Sequence, residues 1–129
     1  GRTLQALRAD RRAGRVGATT AVFDADGRAL YFSKEVIPFS EQSYADNAET
    51  PVFHHVGAYA YRPEALRRYR SWPEGRLEKL EGLEQLRFVE AGELVRCVEV
   101  DARGRRFWEL NNPGDIAVLE TMMSEMGID

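Results

Sequence analysis

Any chemistry in this chain has to come from a short list of polar residues. The run Phe53-His54-His55-Val56-Gly57-Ala58-Tyr59 contains both of its histidines. Read as a strand, it puts His55, Gly57 and Tyr59 on one face and His54 on the other. A glycine between an imidazole and a phenol leaves room for a ligand beside two hydrogen-bonding groups, although plain strand packing is the commoner use of such a histidine. Glu81, Glu84 and Gln85 crowd one segment. Carboxylates there could accept from vicinal hydroxyls while the amide both accepts and donates; a solvated helix face accounts for the same composition. Lys34 closes an apolar run just ahead of a polar loop, where a cation could meet a carboxylate, and exposed lysines are ordinarily inert. From the residues alone, what remains is polar recognition.

Other chemistries find no residues to support them. The glycines are scattered as turn residues and form no phosphate-cradling loop, and no histidines or cysteines pair at metal spacing. Ser33, Ser40, Ser43, Ser71 and Ser124 all lack the setting of a nucleophile elbow.

The elements that must position these groups follow from periodicity. Leu4, Ala6 and Leu7 among arginines predict a helix over 3–13, ended by Gly14, with Arg8, Arg11 and Arg12 on its wet face. Val16 to Phe23, the turn Asp24-Ala25-Asp26-Gly27 and Ala29 to Ser33 predict a β-hairpin. Residues 40–51 predict a surface loop and 52–61 a strand. Pro63 opens a helix to about Arg70 that buries Leu66 and Tyr69, and Trp72-Pro73 ends it. Leu77, Leu80, Leu83 and Leu86 predict a single helix with one buried stripe and an acidic polar face. Leu94 to Val100 predicts a strand, 101–104 a turn and 106–110 a further extended piece. Asn112 then caps a last helix with Ile116, Leu119, Met122, Met123 and Met126 as its apolar stripe and Gly127 as its stop. Mixed elements without repeats predict an α/β or α+β layer fold.

A length of 129 residues with 43% hydrophobic content suits one domain, residues 1–129, with one modest core. Eighteen basic residues against 21 acidic ones, a net charge of -3, argue against nucleic acid or an anionic membrane as the main partner. Cys97 is the sole cysteine, so no intramolecular disulfide is available and a reducing cytoplasm fits. No apolar stretch suits a bilayer span and no leader opens the chain; because Gly1 is not methionine, the chain is expected to begin inside a larger protein.

Four segments in this order resemble the 3-deoxy-manno-octulosonate cytidylyltransferases, the CMP-Kdo synthetases. They are DADGRALYFSKEVIPF from Asp24 to Phe39, FHHVGAYAYRPEALRRY from Phe53 to Tyr69, LEKLEGLEQLR from Leu77 to Arg87, and NNPGDI from Asn111 to Ile116. The resemblance implies the carboxyl-terminal, sugar-binding and dimer-forming half of such an enzyme. Its implied fold is the corresponding part of a nucleotide-diphosphosugar-transferase-like (Rossmann-like) mixed sheet with flanking helices. It implies transfer of CMP from CTP to an acidic sugar, with release of pyrophosphate, for lipopolysaccharide synthesis, by a homodimer. The implied sugar-acid contacts are Lys34, His55, Tyr59, Glu81 or Glu84, and Gln85. Lysine stands at position 34 where the family usually has arginine, and lysine cannot form the bidentate carboxylate pair. Asn111-Asn112-Pro113-Gly114-Asp115 stands where the family has Asp-Thr-Pro-Glu-Asp, so Asn111 and Asp115 are the implied magnesium positions, and an amide is a poorer magnesium ligand than a carboxylate. The isolated chain, without the half that holds CTP, is expected to be inactive. A non-catalytic assembly module, or a cytidylyltransferase for another acid sugar or a phosphonate, are the alternatives.

Overall fold

Leu4 and Leu7 recur on one helical face and are both buried, which seats helix α1, Leu4–Arg12, in the computed structural model. The structure describes residues 4–40, 51–100, 110 and 113–128. Gly14, at φ 73°, stops the helix as predicted. Its arginines do more than face water: Arg8 donates to the Ser40 carbonyl and, at 2.6 Å, to the Ser40 hydroxyl, while Arg11 pairs with Glu35. The helix is thus tied to the segment that follows the hairpin.

The hairpin is present as strands β1, Thr20–Phe23, and β2, Ala29–Ser33, paired antiparallel with Thr20 opposite Ser33 and Ala21 opposite Phe32. Asp24 closes the turn, its Oδ1 accepting from the backbone N–H groups of Asp26 at 3.0 Å and Arg28 at 2.8 Å. Strand β3, Phe53–His54, adds on the far side of β1, giving the order β2-β1-β3. All three strands are antiparallel, so the Rossmann-like mixed sheet is corrected for the described residues to a small antiparallel sheet with helices beside it. The short turn that joins β1 to β2 permits no other pairing of those two strands.

Beyond the hairpin, several elements depart from the sequence reading. The strand expected over 52–61 ends at His54, because β3 matches only Thr20 and Ala21 of β1; beyond the His55 N–H bond to the Thr19 carbonyl, the Ala58 N–H turns back to the Val56 carbonyl. The single leucine-striped helix is two pieces, α3 over Arg76–Glu81 and α4 over Leu86–Glu90, divided at Gly82 with φ 62°. That left-handed residue re-aims the chain, so Leu86 is fully buried whereas Leu80 is 71% exposed. The strand expected over 94–100 makes one isolated bridge, Arg28 to Arg96, flanked by bonds from Ala29 to Val95 and from Cys97 to Gly27.

Helix α2, Pro63–Ser71, begins with its proline in the first turn as expected, yet Leu66 is exposed. Helix α5, Asp115–Glu125, has Gly114 rather than Asn112 at its N-cap; Met122 is its buried methionine, while Ile116, Met123 and Met126 are exposed. The core lies where β1 and β2 meet α3 and α4: Ala21, Ala29, Phe32 and Leu86, with Tyr31, Leu77, Leu83 and Val89 against them. The turn expected over 101–104 and the extended piece over 106–110 lie outside the described residues except for Leu110, as does most of the loop over 40–51.

Candidate functional site

Strand β2 organises the site, because both halves of it touch that strand. At its carboxyl end Ser33 is buried and Lys34 leaves the sheet. Thr20, buried beneath, donates from its hydroxyl to the Glu35 carbonyl at 2.7 Å and so fixes the exit of the strand. Glu81, the last residue of α3, reaches across to the same point. Its Oε1 accepts from Ser33 Oγ at 2.7 Å and Tyr31 OH at 3.3 Å, and its Oε2 accepts from the Lys34 backbone N–H at 2.9 Å. The Lys34 side chain lies over the next residue: a Cβ built on Gly82 would stand 2.9 Å from Lys34 Nζ.

Phe32, on the opposite pleat of β2, meets the His55 ring edge-on with centroids 5.5 Å apart. His55 Nε2 and the Tyr59 hydroxyl are 2.6 Å apart and share a hydrogen bond whose direction follows the ring tautomer. In an extended strand, residues four apart would stand roughly 13 Å apart. The bend at Val56–Ala58 brings them together instead, so the expectation of two side chains ranged along one strand face is corrected to a bonded pair. Burial raises the Tyr59 phenol above its ordinary value, and the nearby charges of Tyr61, Cys97 and Glu84 add to this, so it stays a neutral hydroxyl. Tyr59 stacks on Tyr61, Tyr61 on Phe88, and Phe88 on Tyr69, a row of rings that links the bend to α4 and α2.

The acidic pair divides by role. Glu81 has both oxygens engaged by β2, whereas Glu84 is exposed in the turn before α4 and acts on Tyr59 and Tyr61 through its charge. Gln85 stands at the N-cap of α4, 4% exposed, and its amide Nε2 has no hydrogen-bond partner among the described residues. A buried N–H₂ without an acceptor costs about 1–3 kcal/mol, which makes the position expensive unless something arrives to accept from it.

Two implied metal positions remain, Asn111 and Asp115. Asn111 lies outside the described residues. Asp115 is buried in the first turn of α5. No cluster of three His, Cys, Asp or Glu suited to a metal exists among the described residues. Sequence reasoning passed over Tyr31, Ser33 and Gly82; the signal for the last was a glycine interrupting the leucine repeat.

A model of the cytidylyltransferase family matches residues 5–95, which takes in β1 to β3, α2 to α4 and every candidate residue except Asn111 and Asp115. The chain belongs to the cytidylyltransferase family. Among its relatives, the 3-deoxy-manno-octulosonate cytidylyltransferase of Chlorobium limicola is 41% identical over 104 residues, 79% of this chain and 39% of that protein. The enzyme of the same name from Maricaulis maris is 36% identical over 121 residues, 94% of this chain and 46% of that protein. The solved structure of CMP:2-keto-3-deoxy-manno-octonic acid synthetase complexed with CTP superposes with a TM-score of 0.65 at 30% identity, covering 96% of this chain and 54% of that one. The chain therefore spans about half or less of the length of these cytidylyltransferases. Among the described residues no helix is long and apolar enough to cross a membrane.

Proposed function

We propose that this chain is the sugar-holding, carboxyl-terminal half of a CMP-Kdo synthetase, an enzyme that transfers CMP from CTP to an acidic sugar and releases pyrophosphate in lipopolysaccharide synthesis in the cytoplasm. The observation that carries the reading is Gln85, a buried amide whose donor is unsatisfied among the described residues, at a position that the family resemblance assigns to the sugar acid. A sugar oxygen would satisfy it. Lys34 supplies the cation for the sugar carboxylate and the Tyr59 hydroxyl and Glu84 carboxylate supply further contacts at hydroxyls. In this reading His55 orients Tyr59 through their shared bond, and both oxygens of Glu81 are engaged by β2.

Assignment to the carboxyl-terminal half rests on the order of the four segments; the shared lengths give only how much of the relatives is spanned. Holding the hydroxyl acceptor in line is the contribution these residues make to the rate, by positioning. Magnesium belongs to the intact enzyme in this proposal, with Asp115 as its one described candidate ligand, and no step is derived through it. Calorimetry of the 129-residue chain tests the division of labour. Kdo is expected to give a measurable binding heat, and CTP with magnesium little or none; tight CTP binding followed by pyrophosphate release would overturn it.

The same proposal includes a homodimer formed through the 53–61 segment, where Val56 and Tyr61 are 44% and 41% exposed beyond the short edge strand β3. Sedimentation at high micromolar concentration is expected to return twice the chain mass, and a monomer there would count against the dimer.

A further inference from the structure

The residues around Lys34 assign a role that the function above does not require. Lysine offers one compact, freely rotating ammonium on a four-carbon stem, so its usefulness toward a carboxylate depends on what holds the stem. Here the backbone end is held, and the ammonium end lies against a glycine. The backbone N–H of Lys34 donates to Glu81 Oε2 at 2.9 Å, and the same carboxylate grips Ser33 Oγ and Tyr31 OH, so the strand end cannot shift without breaking three bonds to one side chain. The other end, Nζ, lies so close over Gly82 that a single added carbon would stand 2.9 Å from it. Gly82 also has the left-handed φ of 62° that turns the chain out of α3 immediately after Glu81. Clamp and seat are therefore consecutive residues, and neither uses the fixed fork that an arginine would present.

We propose that Glu81 and Gly82 are positioning residues: Glu81 fixes the backbone from which Lys34 departs, and the bare Cα of Gly82 leaves the space in which its ammonium lies. This rests on the reading of Lys34 as the group that meets the sugar carboxylate. Glu81 then acts through Lys34 and not by touching the sugar, since both of its oxygens are engaged by β2. At Gly82 the flexible ammonium is the atom that would give way to a new side chain, so a substitution there displaces Lys34 and leaves the fold in place. Asparagine is suited to the test because it tolerates the left-handed conformation that alanine resists, while still carrying the intruding Cβ.

The experiment is a double-mutant cycle in the full-length polypeptide, reading the KM for Kdo, the KM for CTP and the melting temperature. Glu81→Ala and Gly82→Asn are each expected to raise the KM for Kdo about tenfold, the scale of one charge-assisted contact, with the KM for CTP unchanged. In the K34M background, neither substitution should raise the KM for Kdo further. Equal effects in both backgrounds, or a lower melting temperature with unchanged KM for Kdo, would overturn the proposal. Should Glu81→Ala fail to fold, Gly82→Asn carries the test, because it leaves the Glu81 hydrogen bonds in place. If K34M alone leaves the KM for Kdo unchanged, the assignment of Lys34 to the sugar fails and takes this proposal with it. If K34M raises it and the other two do not, only the positioning role fails.

Discussion

Replacing Gln85 by methionine is expected to stabilise the fold and, in the full-length polypeptide, to raise the KM for Kdo at least tenfold while sparing the KM for CTP. The two effects have one cause. Gln85 is 4% exposed and its Nε2 meets no acceptor among the described residues, which leave a desolvated donor unpaired. Methionine has nearly the same length, fills the same space and takes that donor away, which is worth on the order of 1 kcal/mol. For a chain of this size that is a rise of about 3–6 °C in melting temperature. Binding suffers in the other direction, because a sugar oxygen entering the site would lose its donor and stay unpaired, a loss of about tenfold or more. Gln85→Ala is expected to raise the KM for Kdo as well but to lower stability, since it leaves a cavity beside the fully buried Leu86. Scanning calorimetry and steady-state kinetics on both variants check this. A lower melting temperature for Gln85→Met together with unchanged sugar kinetics would mark Gln85 as a packing residue with an acceptor in the intact protein.

Stability gained by removing a native side chain is the mark of a residue kept for a ligand, and the expected gain at position 85 would separate Gln85 from its neighbours. Such a distinction was beyond the sequence, where Glu81, Glu84 and Gln85 form one polar group on one helix. Periodicity could locate α1, the hairpin and α2 because each carries its own punctuation: Gly14, the Asp24 to Gly27 turn, and Pro63. It misjudged the leucine repeat because a spacing of three fits a helix and also fits two short helices joined by a left-handed residue, and the choice between them is made by burial of Leu86 against β2. Strand 52–61 failed for a related reason. Alternation describes which side a residue faces, but a strand also needs a partner, and β1 offers only Thr20 and Ala21 to β3. The bend that results brings His55 and Tyr59 into hydrogen-bond contact, a pairing that no reading of alternating faces would give. Of the predicted site residues, Lys34 and Glu81 were legible as a group near a strand end only through the family resemblance; their physical link runs through Ser33, Tyr31 and Gly82, three residues with no chemical signature of their own.

A different substitution should dominate stability. Glu78 is buried, and its carboxylate accepts from Arg87 Nε at 2.7 Å, from Arg87 NH2 at 2.6 Å and from the Gly75 N–H at 3.0 Å, so that it joins α3, α4 and the start of its own helix. Arg87 in turn lies over the Tyr69 ring at 4.2 Å, which extends the link to α2. Glu78→Ala would unpair all of these donors at once. Breaking a buried pair commonly costs about 3–5 kcal/mol. The Arg87 side chain keeps 19% exposure and can recover some hydration, which lowers the expectation to about 2–3 kcal/mol, or about 10 °C in melting temperature. The pH dependence has a fixed sign. The Arg87 guanidinium, helped by the Gly75 N–H and opposed by burial, holds the Glu78 carboxyl below its ordinary value in the folded chain. A depressed folded value means that the stabilisation is fully present above the unfolded carboxyl value of about 4.3 and is lost as the pH falls through the folded one. Glu78→Gln should therefore flatten the acid limb of the stability curve. Glu35, which Arg11 also depresses, has its side chain 57% exposed, and Glu35→Gln should change that limb little. Urea titrations from pH 3 to 7 on the three proteins, with these limits set on the order of the carboxyl range, measure the difference directly; an acid limb unchanged in Glu78→Gln would remove the Glu78–Arg87 pair as the link between the two short helices that carry Glu81 and follow Gln85.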